Sequence, residues 1–155
     1  MTARKLLPIL SLSILFSYNV FAQKNDDIPK APIEVPKIIM DSFQNLYPGI
    51  VKAVWNFGAG DYEVEFIKDS IDMTINFDVY GNLTETETEI KTSELPASAA
   101  DYIKKSYGGF IIVHASKLVS ANYDIAYVLQ IGKEGKFWDI SFDKNGKFLR
   151  EEEAD

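Results

Sequence analysis

A chain of 155 residues with no cysteine and a formal charge of −7 must fold without disulfides. Its acidic excess, 23 Asp and Glu against 16 Lys and Arg, excludes nucleic acid as a natural partner. The one histidine leaves zinc without the nitrogen and sulfur ligands it prefers.

Arg4 and Lys5 precede an apolar stretch from Leu6 to Phe16, and Val20, Phe21 and Ala22 bring small residues to the position a signal peptidase reads. This predicts a signal peptide over residues 1–22, cleaved before Gln23. The apolar run is shorter than the roughly 20 residues of a membrane helix, so the expected location is periplasmic or secreted, with no stable membrane anchor after cleavage. Loss of Arg4 and Lys5 takes the formal charge from −7 to −9. Residues 23–34 are polar and contain Pro29 and Pro32, the composition of a flexible leader.

The remainder reads as one pattern stated twice, over residues 35–94 and 95–155. Pro36 opens a helix with Ile39, Phe43, Leu46 and Tyr47 on its apolar stripe, and Pro48 stops it. Pro96 opens a second, with Ala99, Ile103 and Tyr107 on the stripe and Gly108 and Gly109 at its end. Strands with alternating apolar residues follow the first helix: Val51, Ala53, Trp55 and Phe57, then Tyr62, Val64 and Phe66, then Ile71, Met73, Ile75 and Phe77. In the second copy Tyr123, Ile125 and Tyr127 align with Tyr62, Val64 and Phe66 at an offset of 61, and Trp138, Ile140 and Phe142 align with Met73, Ile75 and Phe77 at 65. The alignment places four extra residues in the loop Gly132–Gly135, and Asn145-Gly146 reads as a type I′ hairpin turn. The expected fold is α+β: a tandem repeat of one helix plus an antiparallel meander of about four strands. Both helices would pack on one face of a shared antiparallel sheet.

Chemistry-bearing residues are few. His114 sits in a predicted strand, Phe110 to Leu118, with no nucleophile elbow to partner it. Asp143, Asn145 and Gly146 begin like a calcium loop, but the glycine comes at the fourth position and no glutamate follows at the twelfth. Asp78 and Asp143 instead suit turns in which the carboxylate accepts local amide hydrogens. Glu63 and Glu65 fall on the wet face of one strand. Glu85, Glu87 and Glu89 alternate with threonines on another, which reads as a solvated or weakly covered strand rather than a central one.

The helix ending at Tyr47-Pro48, Trp55 in the first strand, the Tyr62-x-Val64-x-Phe66 strand and the Phe-Asp-x-x-Gly turns at Phe77 and Phe142 resemble the PepSY-like, beta-lactamase-inhibitor-protein-like family of periplasmic proteins. The resemblance covers nearly all of the chain after residue 22 and implies a tandem helix-plus-sheet protein, related by shape to protease propeptide domains and to a secreted inhibitor of beta-lactamases. That inhibitor's disulfides have no counterpart here, and none of its inhibitory loop residues maps onto this sequence. The expectation is a non-catalytic exported binding or inhibitor-like module that needs no cofactor or metal and engages another exported or cell-envelope protein. It would act through the sheet face and hairpin loops, with Gly58, Gly60, Glu63, Glu65, Asn82, Glu85, Glu87, Gly132 and Glu134 as candidate contacts. The alternative is a small-ligand or cation sensor using the acidic face, and behind it a carboxylate-dependent hydrolase.

Overall fold

The structure, a computed structural model, describes residues 33–154; the expected signal peptide and residues 23–32 of the leader lie outside the described residues. Helix α1 spans Lys37–Leu46 and is entered through Pro36, whose carbonyl accepts hydrogen bonds from the Ile39 and Met40 amides. Four strands follow: β1 (Ala53–Gly58), β2 (Asp61–Lys68), β3 (Ile71–Phe77) and β4 (Leu83–Glu89). A single 3-10 turn at Thr92–Glu94 leads into α2 (Ala97–Ser106), which is followed by β5 (Ile111–Ser120), β6 (Ile125–Lys133), β7 (Lys136–Asp143) and β8 (Phe148–Ala154). All eight strands join one sheet in sequence order, and every neighbouring pair is antiparallel.

Period-two alternation sends one set of side chains toward the helices. Ile39 and Phe43 of α1 meet Val64, Phe66, Ile75 and Phe77 in a first core cluster. Ala99 and Ile103 of α2 meet Leu129, Ile131, Ile140 and Phe142 in a second. Burying each of the larger side chains contributes about 1.5–3 kcal/mol. Aromatic edges fill the margins, with Phe43 at 5.4 Å from Trp55 and Phe110 at 5.3 Å from Trp138, both T-shaped. Leu46 and Val51, expected on the apolar side, are instead exposed.

Strand register corrects the sequence alignment in one place. Tyr62 pairs with Phe77, and the residue that pairs with Phe142 is Tyr127, not Tyr123. Under the expected duplication, the offset that would match β2 to β6 is therefore 65 rather than 61. The turns at Asp69-Ser70 and Glu134-Gly135 are both two residues long, so the loop Gly132–Gly135 holds no insertion. The extra length lies in the β5–β6 hairpin, where β5 has 10 residues against 6 in β1. The two alignments differ by four residues, an even slip that keeps the same residues inward, so alternation alone cannot separate them. Tyr123, expected in the core, stands in the β5–β6 turn at φ +62° and is 86% exposed.

A second correction concerns β4. A meander of eight strands places its fourth strand in the middle, between β3 and β5, so the Thr/Glu ladder is a central strand after all. It tolerates polar residues because it runs along the seam between the two core clusters, neither of which includes a residue of Thr84–Glu89.

The Asn145-Gly146 turn also differs from expectation. Type I′ geometry needs positive φ at both central residues, and here only Gly146 has it, at +75°. The turn is a three-residue loop held by Asp143, whose Oδ1 accepts the Asn145 and Lys147 amides at 2.8 and 2.9 Å. Asp78 repeats this with Tyr80 and Asn82, both at 2.9 Å. Gly146 serves a second purpose: a Cβ there would stand 2.8 Å from the Ala99 nitrogen, so the missing side chain lets the β7–β8 turn seat against the start of α2.

Candidate functional site

The face opposite the helices is built by the other half of the alternation. Register lines up Asn56, Glu63, Asn76 and Glu85 in one row across β1 to β4, and Val54, Glu65, Thr74 and Glu87 in the next. Four carboxylates thus share one patch, with Thr74 and Asn76 of β3 between the two pairs. The Asn56 amide donates to Glu65 at 3.0 Å and to Glu63 at 3.4 Å.

This polar face is not simply a wet exterior. The five buried polar side chains among the described residues, Asn76, Glu87, Ser116, Gln130 and Ser141, all lie on it. Glu87 is only 4% exposed and Ser116 only 1%. Burial drives the Glu87 pKa up to about 7, helped by the like charges of Glu85, Glu63 and Asp139. Glu85 also rises to about 7 through burial, with Arg150 pulling the other way. Burial raises Glu63 and Glu65 too, and a carboxyl–carboxyl hydrogen bond couples the pair. Toward β8, Gln130 donates to Asp139 at 3.3 Å. His114 faces this side with Nδ1 3.8 Å from Glu89, and burial lowers its pKa despite the surrounding acids.

The structure brings some of the sequence-derived candidates together and separates others. Glu63, Glu65, Glu85 and Glu87 form the patch just described. Gly58, Gly60 and Asn82 belong to the β1–β2 and β3–β4 turns at one end of the sheet. Gly132 and Glu134 belong to the β6–β7 hairpin at the other end, since successive tips of a meander alternate ends. Asn82 is committed to its own turn, its amide donating to Asp78 Oδ2 at 2.9 Å. Gly132 lies under the Phe137 ring, where a Cβ would come within 2.9 Å. Sequence reasoning missed Tyr123, an exposed aromatic held at a backbone angle that tyrosine resists. It also missed the burial of Ser116 and Gln130, which no local signal in the sequence marks.

The model of the family described as "Putative beta-lactamase-inhibitor-like, PepSY-like" matches residues 60–150, from the β1–β2 turn into β8. The chain belongs to this PepSY-like family. No curated protein matches it. Among solved structures, a "putative periplasmic" protein of Bacteroides eggerthii superposes with a TM-score of 0.71 at 17% identity, over 77% of this chain and 89% of that one. A DUF2874 family protein of Bacteroides uniformis gives 0.70 at 15% identity, over 77% and 90%. A BLIP-like protein of Bacteroides fragilis gives 0.63 at 23% identity, over 79% and 88%. At these identities the likeness is one of fold, an antiparallel eight-stranded sheet with two helices. Among the described residues of this PepSY-like chain, no helix is long and apolar enough to cross a membrane.

Proposed function

We propose that this PepSY-like protein is a non-catalytic, exported binding or inhibitor-like module that engages another cell-envelope protein through its polar sheet face and the hairpin tips beside it. The observation that carries the reading is the set of five buried polar side chains on a face that neither helix covers. A surface half withdrawn from water, and mixing Leu118 and Val128 with carboxylates, has the make-up of an interface core rather than of a solvated exterior. Family membership and the described periplasmic setting of a structural neighbour support the same reading.

Glu85 and Glu87 do not favour a hydrolase. A glycosidase pair divides its labour because the two environments push the pKa values apart, whereas here both rise together to about 7. The reading takes residues 1–22 as a removed signal peptide and 35–94 and 95–155 as tandem copies in one compact unit. The matching positions of Tyr62–Phe77 and Tyr127–Phe142 support the second point.

Photocrosslinking side chains placed one at a time test the surface. At Val54 and Ile67, both exposed on the polar face, and at Tyr123, adducts to one envelope protein are expected. At Lys104, exposed on α2, none is expected. Adducts at Lys104 alone would reject the polar-face reading.

A further inference from the structure

The polar face contains a buried spot whose own groups leave it incomplete. Glu87 Oε1 and Ser116 Oγ are both withdrawn from water and make no hydrogen bond of good geometry; the Ser116 hydroxyl lies near enough to Glu87 to favour its ionised form, but it is the one donor there, and Glu85 Oε1, on the same strand face, has none. A buried carboxylate oxygen without a donor is costly, and a donor that also carries positive charge relieves it best. Charge on the sheet is segregated in a way that matches. Four of the five basic residues in the strands, Lys68, Lys117, Lys133 and Lys136, fall in the register facing the helices, while Glu63, Glu65, Glu85 and Glu87 fall in the other, where Arg150 of β8 is the one strand cation.

The remaining charged groups around Glu87 do not satisfy it. Asp72 of β3, Glu89 of β4 and Asp139 of β7 are like in sign. His114 of β5 lies beside Glu89, and burial lowers its pKa. Arg150 of β8 donates to Glu152 at 3.1 Å. The carboxylates are also strung along their strands rather than converged: among the described residues, no three His, Cys, Asp or Glu side chains are placed to hold a metal ion. A second copy of this acidic chain would bring like charge to like.

We infer that Glu85 and Glu87, with Ser116, form a receptor for a basic side chain presented by a partner polypeptide. The inference rests on the binding-module reading and adds the chemistry of what is bound. The cation would accept no proton and break no bond; it would pair with carboxylates that must first be ionised. Docking therefore releases protons, and it weakens as the acids become protonated.

A hexa-arginine peptide is a sufficient probe, followed by the carboxyl carbon signals of glutamate in the purified protein. Binding is expected to shift Glu85 and Glu87 together and to weaken about tenfold between about pH 8 and about pH 6. Glu87→Gln should weaken it about tenfold or more at the higher pH, and Glu85→Gln should do the same independently. Glu153→Gln, which removes an equal charge on the helix side, should leave binding unchanged. Equal affinity in all three variants would mean that only the general negative field is sensed and would overturn the inference. Absence of any peptide binding would overturn it too, as would calcium chloride alone reproducing the carboxyl shifts. Those failures would leave adducts at Val54 and Ile67 intact, so this inference and the binding reading can fall separately.

Discussion

Replacing Glu87 by Gln should make the protein more stable at about pH 8, by on the order of 2–3 kcal/mol, and the gain should shrink toward zero near pH 5. Burial lifts this carboxyl from its ordinary 4.5 to about 7 in the folded state. Between those limits the folded chain holds a proton that the unfolded chain has released, so stability falls as pH rises through this window and stays low above it. A shift of that size corresponds to roughly 3 kcal/mol, applied to a side chain almost wholly removed from water. Gln keeps the shape and stays neutral at every pH. His114 works in the opposite direction, because burial lowers its pKa below 6.5 and its neutral ring favours the folded state as pH rises. Comparing the variant with the parent at each pH cancels that contribution. Urea denaturation at the two pH values measures the difference, and a variant that is less stable at pH 8 would refute a buried, ionising Glu87.

Phe77→Ala and Phe142→Ala should each cost about 3–5 kcal/mol, since both rings are fully buried and each precedes the turn on which its helix is seated. Phe142 loses an edge contact with Tyr102 at 5.7 Å in addition to its burial. The two losses should appear in one unfolding transition. Strands β4 and β5 are hydrogen-bonded from Glu85 to Glu89, so the two core clusters share a single sheet. A loss below about 1 kcal/mol at both sites, or two separate transitions, would contradict this arrangement.

The sequence carried the architecture because its local signals and its packing agree. Pro36 and Pro96 introduce the helices, the apolar alternation from Tyr62 to Phe77 sets the inward face, and Asp78 and Asp143 mark turns whose hydrogen bonds they then make. The errors came where a period-two pattern is blind. Tyr123 and Tyr127 satisfy the same alternation, and only pairing with Phe142 decides between them. β4 misled for a different reason: Thr and Glu are typical of an exposed edge, and its central position follows from chain order within the whole sheet, not from its composition. The site was legible to the same extent. Glu63, Glu65, Glu85 and Glu87 read in the sequence as acids on polar strand positions, and they form one patch. That the middle of this face is buried depends on neighbours from β5, β6 and β7, more than 25 residues away in sequence.

The most direct measurement is the titration of Glu87 itself, by carbon NMR of the side-chain carboxyl in the purified protein. A buried acid at the centre of the polar face predicts midpoints of about 7 for Glu85 and Glu87. Midpoints near the ordinary 4.5 for both would show a solvated ladder and contradict the interface proposed for this face.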